Sequence, residues 1–416
     1  MTARRHCVTQ LDLDYTRSQF PAFAEPPFPG NIHFDNAGGS FACAPVIDRL
    51  TRFYSETKVQ PYGPGPASSR AGAEMDEART RLAAMLNVEE DELSFGPSTT
   101  QNTYVLAQAF RELLHPGEAI IVTNQDHEAN TGPWRKLADA GIEVREWQVD
   151  PVSGTLDPED LTRLLDGPVK LVCMPHCSNI LGVMNPVADW IRTAHAAGAV
   201  VCVDGVSAAP HGFPDVTALG ADIYLFSSYK TYGPHLGLMV VRQALADRLP
   251  NQAHYFNAGS RSKRFTPAGP DHAQIAASAG MADYVDALYA HHFPGETAAP
   301  SVRAKAVSEL QRRQESDLLS PLLNYLSNRN DVRLLGPQRI ADKVGTVALV
   351  PRQPAAELAR ALVQHGISCD GGDFYAVRLL EALGVPPDPG VLRLSFTHYT
   401  LQSEIERAIE ALDRVL

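Results

Sequence analysis

Tyr224-Leu225-Phe226-Ser227-Ser228-Tyr229-Lys230-Thr231-Tyr232-Gly233-Pro234 is a short β-prone run that breaks into hydroxyls, one lysine and a Gly-Pro turn. The run has strand length and the turn residues close it, so Lys230 stands just past the end of a strand. Such a lysine is either a solvated ammonium, as most lysines are, or an amine presented to a ligand. The second use requires burial, which lowers the pKa and frees the nucleophile.

Two other segments share that arrangement. Val201-Cys202-Val203-Asp204-Gly205 is an apolar strand ending in a carboxylate. Asp204 there can keep a pyridine nitrogen protonated, or simply serve as a turn or capping residue. Gly96-Pro97-Ser98-Thr99-Thr100-Gln101 opens a helix. Hydroxyls and unpaired N–H groups at a helix start suit a phosphate, although an N-cap by Ser98 or Thr99 is the commoner use.

Between and around these segments, residues 74–86 and 99–114 carry apolar side chains at helical spacing. Residues 119–122, 169–173 and 200–203 are continuous apolar runs of strand length, with covering helices at 161–165 and 187–197. Such runs alternating with helices predict a parallel sheet buried on both faces, with ligands bound beyond the strands' carboxyl ends. Past residue 241 the pattern loosens: a loop at 258–271, a helix at 276–290 and a break at 291–300. Helices at 304–326, 355–364 and 403–416, with strands at 344–350 and 391–396, read as a smaller α+β unit.

A chain of 416 residues exceeds one core. The expected division is an N-terminal segment, 1–30, packing on the small domain; a large α/β domain, 31–299; and a small α+β domain, 300–416. The net charge of −12 argues against nucleic acid and anionic membrane as partners. No apolar run is long enough to span a bilayer and the N-terminus lacks a secretory core, so a cytoplasmic protein is expected. Cys7, Cys43, Cys173, Cys177, Cys202 and Cys369 suggest reduced thiols rather than a disulfide framework. Cys173, His176 and Cys177 lack a second ligand pair, so no metal is expected.

In their order along the chain, the three segments resemble the pyridoxal 5′-phosphate (PLP) enzymes of fold type I. The resemblance is to the class V aminotransferase group that contains the cysteine desulfurases, and it runs from about His33 to the C-terminus. It implies a seven-stranded, mainly parallel sheet in the large PLP-binding domain. Ser227 to Lys230 looks like that family's Ser-x-His-Lys, with Lys230 as the Schiff-base lysine, Ser227 on the phosphate and Tyr229 in the histidine's place. By the same resemblance Ser98, Thr99 and Thr100 form the phosphate cup and Asp204 is the pyridinium partner. His127 stacks on the ring and relays protons, and Asn179 contacts the phenolic oxygen, as does Ser207 where the family has glutamine. Arg393 grips a substrate carboxylate, a task its bidentate geometry suits, and Asn36, in Asp35-Asn36-Ala37-Gly38, lies at the substrate entrance.

The sequence also departs from that family. Gly372-Asp373-Phe374-Tyr375-Ala376 puts Tyr375, taken as a substrate-side residue, where the desulfurases carry their reactive cysteine. A phenol cannot accept sulfur as a thiolate does. Gly269-Pro270 replaces a Gly-Thr that reaches the partner subunit's phosphate in the family. Residues 62–70, 254–263 and 371–375 are expected to line the pocket.

The resulting expectation is a homodimeric PLP enzyme acting on a small amino acid. Lys230 abstracts the α-proton, and a lyase or elimination reaction follows without a persulfide-forming cysteine. A class V aminotransferase or epimerase is the alternative, and a non-catalytic PLP-binding scaffold the second.

Overall fold

Six of the seven strands in the large sheet point the same way, so their carboxyl ends share one edge. In the computed structural model, which describes residues 10–24 and 29–416, the order is Leu93–Gly96, Gly237–Val241, Ile223–Ser227, Val200–Asp204, Val169–Pro175, Ala119–Thr123, Glu143–Trp147. Gly237–Val241 runs antiparallel to both neighbours; the other six strands run parallel to one another. The apolar runs are the inner strands and are buried throughout, apart from Lys170 and Val200 at intermediate exposure. Sequence periodicity does not reveal Glu143–Trp147, an edge strand whose Glu143, Arg145 and Glu146 reach solvent. Nor does it reveal helix Ala44–Arg52, which begins with Pro45 in its first turn.

Gly237 settles where one wall of the pocket lies. A Cβ at this position would stand 2.4 Å from the Ser98 carbonyl carbon and 2.6 Å from the Thr99 nitrogen. Only glycine therefore lets the reversed strand press against the start of helix Thr99–Leu113. Helix His272–His292, expected at 276–290, is buried along most of its length against Ala44–Arg52 and Pro66–Leu86.

A second sheet, ordered Asp370–Gly372, Val391–Ser395, Thr346–Val350, Arg333–Leu334, is antiparallel throughout. Helices Pro300–Ser327, Ala355–Gln364 and Gln402–Val415 share its apolar core through Leu318, Leu322, Leu358, Leu394 and Ile405. A two-residue parallel pair, Ile32–His33 with Ile367–Ser368, brings the 35–38 loop beside this sheet.

Cys7 and residues 1–9, with 25–28, lie outside the described residues, so the reading of 1–30 as one segment is covered only in part. Within it, Arg17 donates to Glu404 (3.1 Å) and to the Tyr399 carbonyl (2.8 Å). Tyr15 stacks on His291 at 3.8 Å, so this segment touches both the long buried helix and the C-terminal one. Among the described residues no helix is long and apolar enough to cross a membrane. No group of three or more His, Cys, Asp or Glu among them is arranged to hold a metal ion.

Candidate active site

Lys230 closes a one-turn helix, Ser228–Lys230, that caps strand Ile223–Ser227. The next turn is rigid. Ser228 donates its hydroxyl to the Leu236 carbonyl (3.1 Å), and Tyr232 takes a left-handed φ of 63°. A non-glycine residue holds that conformation only when its surroundings impose it. Here the Tyr232 hydroxyl bonds the Pro210 carbonyl and His398 Nδ1 (3.1 Å). Lys230 is left 9% exposed, with no hydrogen bond or ion pair from its Nζ among the described residues. Burial, and secondarily the Arg393 guanidinium, hold its ammonium down to about 8 from the ordinary 10.5.

Only the neutral amine attacks an aldehyde, and that fixes how the rate should depend on pH. Condensation of an added aldehyde with Lys230 should speed up about ten-fold per pH unit below the lysine pKa and level off above it. Stopped-flow absorbance should show the plateau near pH 8. A rate still climbing through pH 10 would mean that the amine is solvated.

Behind the lysine lies an inner chamber of about 100 Å³ that Asp204 and Asp126 both line. Asp204 Oδ1 accepts from the Val206 N–H at 2.8 Å. Asp126 accepts from the His127 N–H (3.1 Å) and from Asn130 Nδ2 (2.7 Å), and Trp134 fixes the orientation of Asn130. Burial raises both carboxyls above the usual range, and the Asp204 charge raises Asp126 further. Two desolvated carboxylates in one chamber favour a cationic guest. Asp126 escapes sequence reading, since its Asp-x-x-x-Asn spacing to Asn130 carries no signal outside the fold.

Ser98, which also lines this chamber, accepts from the Gln101 N–H (3.2 Å), which is the ordinary N-cap. The Thr99 and Ser227 hydroxyls face each other at 2.8 Å. The N–H groups of Thr99 and Thr100 have no intrahelical acceptor. Ser207 and Tyr229 also line the chamber, Tyr229 stacked on His235 at 4.7 Å.

An outer chamber of about 510 Å³ opens in front of Lys230, with His127, Asn179, Tyr375 and Arg393 in its wall. His127 Nδ1 accepts the Ala129 N–H at 3.0 Å, so the neutral ring carries its proton on Nε2. Burial, then Lys230, pushes its pKa down to about 3, so the ring is neutral at physiological pH. Asn179 donates to the Phe374 carbonyl (2.9 Å), and its Oδ1 is buried without a partner. Arg393 lies over the Phe374 ring at 3.9 Å, bonded to Asp35 (2.9 Å) and the Asn179 carbonyl (3.3 Å). Its Nε is buried and unpartnered.

The entrance loop differs from expectation. Asn36 is buried away from the outer chamber, donating to the Ser395 carbonyl (3.2 Å) and accepting from the Tyr399 hydroxyl. Its neighbours Asp35, Ala37 and Gly38 line the chamber instead. Residues 62–70 and 254–263, expected on the pocket, line neither chamber in a single chain, whereas Phe374 and Tyr375 do. Tyr375 is 71% exposed, and both it and Phe374 have left-handed backbones (φ 56° and 50°). Among the described residues no cysteine lines the outer chamber. Burial pushes the thiols of Cys369 and of Cys177, on the inner chamber, up to about 12.

These groups fit a planar ligand with an anionic end at the helix start, a basic ring nitrogen at Asp204 and an aldehyde within reach of Lys230. The orphaned Asn179 oxygen and Arg393 nitrogen point to a further polar guest.

A sequence model of the family described as aminotransferase class-V matches residues 32–408. The aminotransferase-like protein FGM3 of Gibberella zeae is 34% identical, covering 98% of this chain and 99% of its own. A cysteine desulfurase of Serratia proteamaculans is 30% identical over 97% and 98%. Among solved structures, the cysteine desulfurase CsdA of Escherichia coli superposes with a TM-score of 0.81 at 24% identity, covering 97% of this chain and 98% of its own.

Proposed function

This chain belongs to the class V aminotransferase family and is a PLP-dependent enzyme, and from that premise we propose that it catalyses an elimination from a small-molecule amino acid without using a protein thiol. The observation that carries the reading is a buried lysine, its pKa lowered to about 8, facing a chamber that holds an arginine but, among the described residues, no cysteine.

PLP, when bound, supplies the electron sink that stabilises the charge left on the substrate's α-carbon. The chain's own groups supply the rest. Lys230, with a pKa near the working pH, is matched to taking the α-proton. Arg393 orients the substrate through its carboxylate, in competition with Asp35. Asp204, with Asp126 lining the same chamber, keeps the ring nitrogen's proton in place. Ser227, Thr99 and Thr100 hold the phosphate, with Ser98 capping the helix beneath it. His127 presents an Nε2–H donor to the ring and the departing group. Asn179 and Ser207, both on the inner chamber, would contact the phenolic oxygen. Tyr375 in place of a thiol, with the remaining nearby thiols held protonated by burial, favours direct release over sulfur transfer to the protein. The assembly that suits this site is a homodimer, with the exposed Tyr255 and Phe256 beside the 258–271 loop in the contact.

The name of the Gibberella zeae relative keeps an amino-transfer reaction as the second reading. Incubating the holoenzyme with single amino acids separates the two. Elimination releases a keto acid and ammonia with no added acceptor. Transfer gives catalytic turnover only when a second keto acid is supplied. A holoenzyme whose spectrum no amino acid changes would be a scaffold.

A further inference from the structure

Three carboxylates, those of Asp35, Glu128 and Asp370, line the outer chamber against two cations, Lys230 and Arg393. On the proposed reading, which this inference rests on, both cations are already engaged. Lys230 is linked to the cofactor, and Arg393 meets the substrate's α-carboxylate. The substrate's arrival then loosens Asp35 from Arg393, and the chamber is left with an excess of negative charge. We infer that the amino acid this site accepts carries a cationic side chain, an ammonium or guanidinium, held among Glu128, Asp370 and the face of Tyr375.

The placement of these groups supports one pocket rather than scattered surface charge. The Glu128 N–H donates to the Tyr375 carbonyl at 2.8 Å, which ties the carboxylate's loop to the aromatic one. Tyr375 lines the chamber and is largely exposed, its ring centred 5.5 Å from that of His127, and an aromatic face beside a carboxylate is a favourable seat for a cation. Glu128 already draws one guanidinium of the chain, Arg378 Nε, but only to 3.7 Å. Asp370 accepts its neighbour Gly371 N–H (2.8 Å) and has no ion pair among the described residues. A dicarboxylic amino acid would meet like charge at the same place.

The test compares shape-matched pairs by their dissociation constants from the holoenzyme, read from the cofactor spectrum: arginine against citrulline, lysine against norleucine, glutamate against glutamine. A partly exposed charge pair is worth a factor of about two to five, so two should favour the cationic member about ten-fold. High salt should bring that ratio towards unity. E128Q and D370N should each lower the ratio, a readout that general damage to binding would not move. Arginine binding no tighter than citrulline, or glutamate tighter than glutamine, overturns the inference while leaving the elimination reading standing. No spectral response to any of the six overturns this inference as well, while the elimination reading, which needs a leaving group that none of the six carries, stays with the assay of keto-acid and ammonia release.

Discussion

Lys230→Ala is expected to lower turnover by at least about 10⁴-fold, with the protein still folded and PLP still bound non-covalently. The size of the effect comes from two functions in one atom. On the proposed reading Lys230 Nζ anchors the cofactor and afterwards acts as the base at the α-carbon, a task His127 cannot take over. The His127 ring, with its proton on Nε2 and Nδ1 occupied by the Ala129 N–H, has no basic site to offer. Folding should survive, because the Nζ makes no hydrogen bond or ion pair among the described residues and the aliphatic stem is the chief loss. Steady-state assay with circular dichroism on the same sample checks both halves. Activity within about ten-fold of the parent would remove Lys230 from the chemistry.

Asp204→Asn is expected to give the second largest loss, about 10²–10³-fold in kcat with a smaller change in cofactor affinity. The carboxylate's value is electrostatic. On the proposed reading it keeps a proton on the ring nitrogen, so that charge developing on the substrate can be drawn into the ring. An amide of the same shape keeps the Val206 N–H contact through its oxygen but presents no negative charge. Cofactor affinity should fall less, since the Thr99 and Ser227 end and the lysine linkage are untouched. Asp126 lines the same chamber and would retain part of the effect, so the double replacement with Asp126→Asn should fall below either single one. A D204N enzyme with parental kcat would mean that the ring works unprotonated.

The sequence announces the parts of this site that coincide with strand ends. Lys230, Asp204 and Thr99 each follow an apolar run into a turn or helix, and the open edge of a parallel sheet gathers such positions. The inner strands are legible for the same reason: burial on both faces makes them continuous apolar runs. Glu143–Trp147 is hidden because an edge strand needs apolar residues on one face only, and its charges mask the period. Residues whose part depends on distant contacts are hidden as well. Asp35 meets Arg393 across 358 positions of sequence, and nothing local favours it over Asn36, which the fold uses to tie the loop to Ser395. Asp126 gains its meaning only from Asp204 on the neighbouring side of the chamber. Ser98 illustrates the reverse case. The ordinary capping use, open on sequence alone, is the one its hydroxyl makes, and Thr99 is left to face Ser227.

The central claim is a covalent one, that Lys230 and no other of the chain's lysines carries PLP. Reducing the holoenzyme with borohydride, digesting it and locating the added cofactor mass by peptide sequencing tests it directly. The account predicts a single modified peptide, with the mass on residue 230. A modification at Lys343, the other buried lysine with a pKa lowered to about 8, or no modification at all, would contradict it.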